Sequence, residues 1–216
     1  MNPPRIQLAA LIAGGKSRRM GQDKAMLDWE GQPLWRHQWE TLAGLKPERM
    51  AVVAPEPPSW ISDLGWIKDH EDIGLIRPIG PIGGLLAALE SAEKGLVAAL
   101  AVDLPAITPQ YLLQLQAHCT ASTGAVPHIA GNGFEPLVAI YPASAADSAR
   151  EWIGNGRYDF QGWIARLVAE GLLRNVEVDS QEERFFRNLN TPEDLERVKI
   201  QLANPPRLLH TEETTQ

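Results

Sequence analysis

Between positions 14 and 24 the chain reads Gly14-Gly15-Lys16-Ser17-Arg18-Arg19-Met20-Gly21-Gln22-Asp23-Lys24. Three glycines remove Cβ atoms where backbone N–H groups could close on an anion, and Lys16, Arg18, Arg19 and Lys24 face Asp23 alone. A phosphate chain suits such a segment, since opposite unit charges about 4 Å apart attract by about 4 kcal/mol at an effective dielectric of about 20. The competing reading is a solvated basic loop. Two phosphate motifs are excluded. The Walker pattern would need glycine where Ala10 stands before Gly15-Lys16-Ser17, and the dinucleotide GxGxxG is absent.

A second chemical position is Asp103, which closes the apolar run Leu96 to Val102. A carboxylate emerging at the end of a buried strand could hold Mg²⁺, which takes one or two carboxylates and completes its shell with water and substrate phosphate oxygens. Alternatively Asp103 caps the turn before Pro105. Asn188 and Asn190 alternate along an extended segment just before Thr191-Pro192, where Asn190 could equally be a turn residue beside the cap.

The elements that must position these residues alternate short apolar runs with helix-like stretches, the pattern of a doubly wound, mostly parallel α/β sheet with helices on both faces. Strands are predicted at Leu8 to Ala13, Met50 to Ala54, Trp66 to Lys68, Leu96 to Val102, Ala125 to Ile129, Pro136 to Ile140 and Leu173 to Val178. Helices are predicted from Pro33 to about Leu45, Gly83 to Ala92, Thr108 to about Cys119, Ala143 to Ile153, Phe160 to Glu170, and from Thr191-Pro192 onward. Thr108-Pro109 and Thr191-Pro192 pair a capping hydroxyl with a first-turn proline. Ligands of such sheets bind outside the carboxyl ends of the strands, where the 14–24 segment and Asp103 both fall.

Composition narrows the partners. The 216 residues are 44% hydrophobic, enough to bury a core, and read as one domain over 1–203 with a flexible tail over 204–216. A net charge of −7 argues against nucleic acid or an anionic membrane as partner. No run approaches the roughly 18 apolar residues of a membrane span. The single cysteine, Cys119, excludes a disulfide framework. With no basic start and apolar run resembling a secretory signal, the expected compartment is the cytoplasm.

The stretch Leu11 to Lys24 resembles the signature of the small nucleotidyltransferases, the molybdenum cofactor guanylyltransferases in particular. The likeness continues in order through Gly31-Gln32-Pro33-Leu34, Gly80-Pro81-Ile82-Gly83-Gly84, Val102-Asp103-Leu104-Pro105, Glu135-Pro136-Leu137 and Asn188-Leu189-Asn190-Thr191-Pro192-Glu193-Asp194-Leu195. It implies a Rossmann-like nucleotidyltransferase fold and transfer of GMP from GTP to the terminal phosphate of molybdopterin, releasing pyrophosphate. Further implied partners are molybdenum cofactor assembly proteins and molybdoenzymes. By the same resemblance Arg19 and Lys24 serve the phosphates. Leu11, Ala13, Gly14, Gly15, Gly21, Gly80 and Gly83 line the nucleotide, Asp103 holds Mg²⁺, and Asn188 and Asn190 meet the acceptor. For the base, the family's aspartate after the third strand corresponds to Asp69, with Asp72 as the alternative, while Ala54 stands where guanylyl enzymes often have asparagine. The Asp23-Lys24 pair and the Asn-x-Asn segment favour the guanylyl over the cytidylyl branch.

Two other readings stay open: CTP or another phosphorylated acceptor on the same fold, and a nucleotide-binding module without turnover. Among residues set aside, Cys119 has helical spacing with Leu112 and Leu115, as a core thiol would. His70 and His128 lack partner spacing. Trp29, Trp35 and Trp39 cluster near the first predicted helix, for packing or for stacking on a pterin or a second subunit. Arg157-Tyr158-Asp159-Phe160 could face an acceptor.

Overall fold

The computed structural model describes residues 3–13, 23–61, 64–70, 79–189 and 192–203. The first apolar run forms β1 (Ile6–Ile12). A 3₁₀ turn over Lys24–Met26 leads into a small hairpin, β2 (Asp28–Trp29) and β3 (Gln32–Pro33), then α1 (Leu34–Ala43) and β4 (Arg49–Ala54). There follow β5 (Trp66–Lys68), α2 (Pro81–Ala92), β6 (Leu96–Ala101) and α3 (Pro109–Ala117). The chain continues through β7 (Gly124–Ile129), β8 (Gly133–Phe134), β9 (Val138–Pro142), α4 (Ala145–Gly154), α5 (Phe160–Ala169), β10 (Leu173–Glu177) and α6 (Pro192–Ala203).

The main sheet runs β10-β7-β9-β6-β1-β4-β5, with β8 paired to β7. The pairs β1/β4, β1/β6, β4/β5 and β10/β7 are parallel, whereas β9 is antiparallel to β6 and β7. Two-sided burial explains the apolar runs. Ala9 and Leu11 enter one core with Leu34 and Leu42 of α1 and Leu112 and Leu115 of α3. Leu8, Ala10 and Ile12 enter the other with Leu85 of α2, Ala149 of α4 and Leu167 of α5, as the period-two alternation of a strand requires.

Some boundaries differ from expectation. Pro33 ends the hairpin instead of opening the helix, because Leu34 N–H donates to Leu27 O and α1 starts there. The hairpin turns at Glu30 (φ 52°) and Gly31 (φ 87°), a positive-φ pair that suits a two-residue loop. Pro136 and Leu137 form a turn, so the strand expected there begins at Val138. The expected cap at Thr108 is present, its hydroxyl accepting from Tyr111 N–H at 3.2 Å. The tail over 204–216 lies outside the described residues.

Candidate functional site

From β1 the chain moves to β4 and β5 on one side, and then crosses back to place β6 on the other. The carboxyl ends of β1 and β6 therefore flank the switch point, where a crevice opens in sheets of this kind. Both ends are tied together: Val102 N–H donates to Ile12 O at 3.1 Å, and Ala13 N–H to Val53 O at 2.9 Å.

Two side chains named from the sequence meet there. Lys24 Nζ lies 3.2 Å from Asp103 Oδ2, joining positions 79 residues apart, with side-chain exposures of 18% and 26%. The pair is thus half-sheltered but open to a ligand. Asp103 is held from three directions. Its carbonyl accepts from Leu189 N–H at 2.9 Å. From beneath, the fully buried Gln38 of α1 donates through Nε2 to Ala101 O (3.1 Å) and Leu104 O (2.7 Å), the carbonyls on either side of it. His37 Nε2 pairs with Pro105 O at 2.9 Å. The Asp103 carboxylate is thus directed at Lys24, while its backbone carbonyl holds Leu189.

Glu135 is a residue that sequence reasoning quoted but gave no task. The antiparallel register matching Leu100 with Val138, continued by Ala101 N–H donating to Leu137 O, brings Glu135 level with Asp103 at the same edge. Burial, reinforced by the Asp103 charge, pushes its carboxyl up to about 7. Because the folded chain then holds a proton that the unfolded chain releases near pH 4.5, stability falls as pH rises through the window from 4.5 to 7. Glu135→Gln is expected to flatten that fall and exceed wild type at pH 8 by about 1–2 kcal/mol, allowing for solvent screening. Thermal melts of both proteins from pH 5 to 8 check this, and identical profiles would count against it.

On the β5 side Asp69 is 7% exposed, and its N–H donates to Ala54 O at 3.0 Å. Its carboxylate lies against the first turn of α2, 3.1 Å from where a Cβ on Gly83 or Gly84 would sit. Gly80 precedes that helix with φ 77°, a conformation glycine adopts at little cost, and its carbonyl accepts from Gly83 N–H. Ala54 offers no polar side chain, and its carbonyl also accepts from Trp66 Nε1 at 3.1 Å. Leu11 is a buried strand residue whose side chain belongs to the core, and Ala13 stands at the rim.

On the other flank, Phe186 sits edge-on to Tyr111 with ring centroids 5.3 Å apart, docking the segment that carries Asn188 and Leu189 beside Asp103. Asn188 is exposed and borders a hollow of about 360 Å³ with Arg187, Asp194, Arg197 and Val198. Gly14, Gly15, Arg19, Gly21, Asp72 and Asn190 lie outside the described residues.

The residues set aside have structural partners. Burial pushes the Cys119 thiol up to about 12. His70 pairs with Glu90 at 2.7 Å and His128 with Glu177 at 3.0 Å. Trp29 is buried, and Trp35 stacks on Trp60. The Arg157 guanidinium lies 3.6 Å above the Trp152 ring, and Asp159 caps α5 by accepting from Gly162 N–H. Among the described residues no helix is long and apolar enough to cross a membrane.

A lysine and a carboxylate converge at the switch point of a doubly wound α/β sheet, the place where sheets of this class bind their ligands. Residues 9–170 match the family model described as the MobA-like NTP transferase domain, and the chain belongs to that family. It is 37% identical over 203 residues to a protein of Opitutus terrae named probable molybdenum cofactor guanylyltransferase, covering 88% of this chain and 93% of that one. It is 31% identical over 199 residues to the molybdenum cofactor guanylyltransferase of Syntrophotalea carbinolica, covering 89% and 90%. Among solved structures, molybdopterin-guanine dinucleotide biosynthesis protein A from Archaeoglobus fulgidus superposes with a TM-score of 0.66 at 25% identity, over 91% of this chain and 98% of that one.

Proposed function

We propose that this chain is a cytoplasmic, Mg²⁺-dependent guanylyltransferase that moves GMP from GTP to the terminal phosphate of molybdopterin. The observation that carries the reading is the Lys24–Asp103 pair at the β1/β6 crevice, in a chain whose relatives bear that name. In this reaction an acceptor phosphate oxygen forms a bond to the α-phosphorus of GTP. The bond from that phosphorus to the β-phosphate's bridging oxygen breaks, and pyrophosphate leaves with the electron pair. A phosphate whose second pKa is about 6 is already ionised at neutral pH, so no protein base is needed. The protein's work is positioning and charge stabilisation.

Lys24 supplies positive charge for the departing pyrophosphate, aided by Arg19 and the N–H groups of Gly14, Gly15 and Gly21. Asp69, Gly80 and Gly83 border the base and ribose side. Asn188 and Asn190 orient the acceptor, with Arg187 and Arg197 beside the hollow as counter-charges for its phosphate. The donor chemistry fits Mg²⁺: Asp103 offers a hard carboxylate oxygen at a partly open position, and this ion commonly takes one or two carboxylates with water and substrate phosphate oxygens. Asp103 would hold that ion, which when bound would neutralise phosphate charge.

The test supplies purified protein with Mg²⁺, molybdopterin and each of GTP, CTP, ATP and UTP, and measures pyrophosphate and the dinucleotide product. Product with GTP is expected. Product only with CTP, or nucleotide binding without turnover, would overturn the reading. Lys24→Ala is expected to weaken GTP binding about 10- to 100-fold, the scale of a lost charge-assisted contact. Calorimetry reads that directly, and unchanged affinity removes Lys24 from the phosphate role.

A further inference from the structure

The turn that presents Lys24 is not self-supporting. Asp23 caps it, Oδ1 accepting from Ala25 N–H at 3.0 Å, and thereby sets the direction in which Lys24 leaves the backbone. Its other oxygen accepts from the indole Nε1 of Trp60 at 3.1 Å, from the segment that follows β4. Trp60 is itself fixed: its ring lies on Trp35 of α1 with centroids 4.9 Å apart and planes 15° from parallel, and its neighbour Ile61 is buried. An unbroken series of contacts therefore runs Trp35, Trp60, Asp23, Lys24, Asp103. A hydrogen bond from a neutral donor to a carboxylate is stronger than one to a neutral oxygen, and it ties down both oxygens of the cap.

We infer that Trp60 is a positioning residue: acting through Asp23, it holds the Lys24 turn so that the ammonium is aimed at a bound phosphate chain. This rests on the proposed phosphate role of Lys24, but not on the identity of the base or the acceptor. It also gives Trp35, which the sequence left between packing and stacking on a pterin or a second subunit, the task of fixing the Trp60 indole.

Inorganic tripolyphosphate separates this inference from the wider functional reading, because it carries the phosphate chain alone. Trp60→Phe keeps a six-membered ring against Trp35 and removes the five-membered ring that carries the N–H. It is expected to raise the tripolyphosphate Kd by about three- to tenfold, the range that one solvent-exposed hydrogen bond of ordinary net strength spans. In GTP turnover it should raise KM by a similar factor, leaving kcat within about twofold and the melting temperature unchanged. Added to Asp23→Asn, it should change the tripolyphosphate Kd by less than about twofold, because the one amide oxygen serves the Ala25 cap and an NH₂ faces the indole N–H. Four results overturn the inference: wild-type protein that does not bind tripolyphosphate, a Trp60→Phe Kd equal to wild type, losses that multiply fully in the double variant, or weakened binding that tracks a falling melting temperature. If the wild type binds tripolyphosphate yet makes no product from GTP, the functional reading fails while the affinity series still decides the role of Trp60.

Discussion

Asp103→Ala is expected to lower guanylyl transfer by about 10²–10³-fold or more while leaving the fold intact. The size follows from what a fixed charge in a partly dry site contributes when the reacting groups are themselves highly charged, the scale seen when one preorganised stabilising group is removed. The intact fold follows from atoms. The backbone carbonyl of Asp103 still accepts from Leu189 N–H, and Gln38 still bonds the carbonyls of Ala101 and Leu104. Only the Lys24 partner is lost, and a partly exposed ion pair contributes about 1 kcal/mol or less to stability. Pyrophosphate release at saturating GTP, beside a thermal melt, separates the two effects. Turnover near wild type would remove Asp103 from the chemistry, and a collapsed melt would show the carboxylate to be structural.

The part of this site legible in the sequence was the part written in runs and local caps. β1, β4 and β6 read as strands because both their faces are buried, so the apolar residues come unbroken. Thr108 and Pro109 mark α3 because capping is local chemistry. The reversal of β9 was not legible: Val138–Pro142 is fully buried like the mutually parallel strands β1 and β6, and direction leaves no trace in burial. Direction is nevertheless what puts Glu135 beside Asp103. Gln38 was equally hidden. A single glutamine in an amphipathic helix looks like a solvent-facing residue, and its partners lie 63 and 66 positions away. The same holds for Trp60 and Asp23, 37 positions apart. Motif spacing showed which groups could act; the groups that aim them are tertiary.

The largest stability effect is expected far from the chemistry, at Gly124→Ala. Gly124 opens β7, is matched with Leu173 of β10, and donates its N–H to Leu172 O at 2.9 Å. A methyl there would overlap the carbonyl oxygen of Ile140 in β9 and come within 2.8 Å of its carbon and 2.9 Å of Leu173 Cδ2. Two of these three atoms are backbone, held by the β6/β9 and β7/β9 pairing, so no flexible side chain can swing aside. Relief requires β7 and β9 to part, which breaks the junction between the antiparallel strand and the parallel one behind it. A cost of about 3 kcal/mol or more is expected, at the upper end of overpacking effects. Gly154→Ala makes the same chemical change at the end of α4, where nothing lies within 4 Å of the added methyl. It should instead gain about 0.5–1 kcal/mol through the lower helix cost of alanine. Urea unfolding of the two variants measures the difference. If both shift alike, the tight approach of Gly124 to Ile140 does not constrain the native sheet.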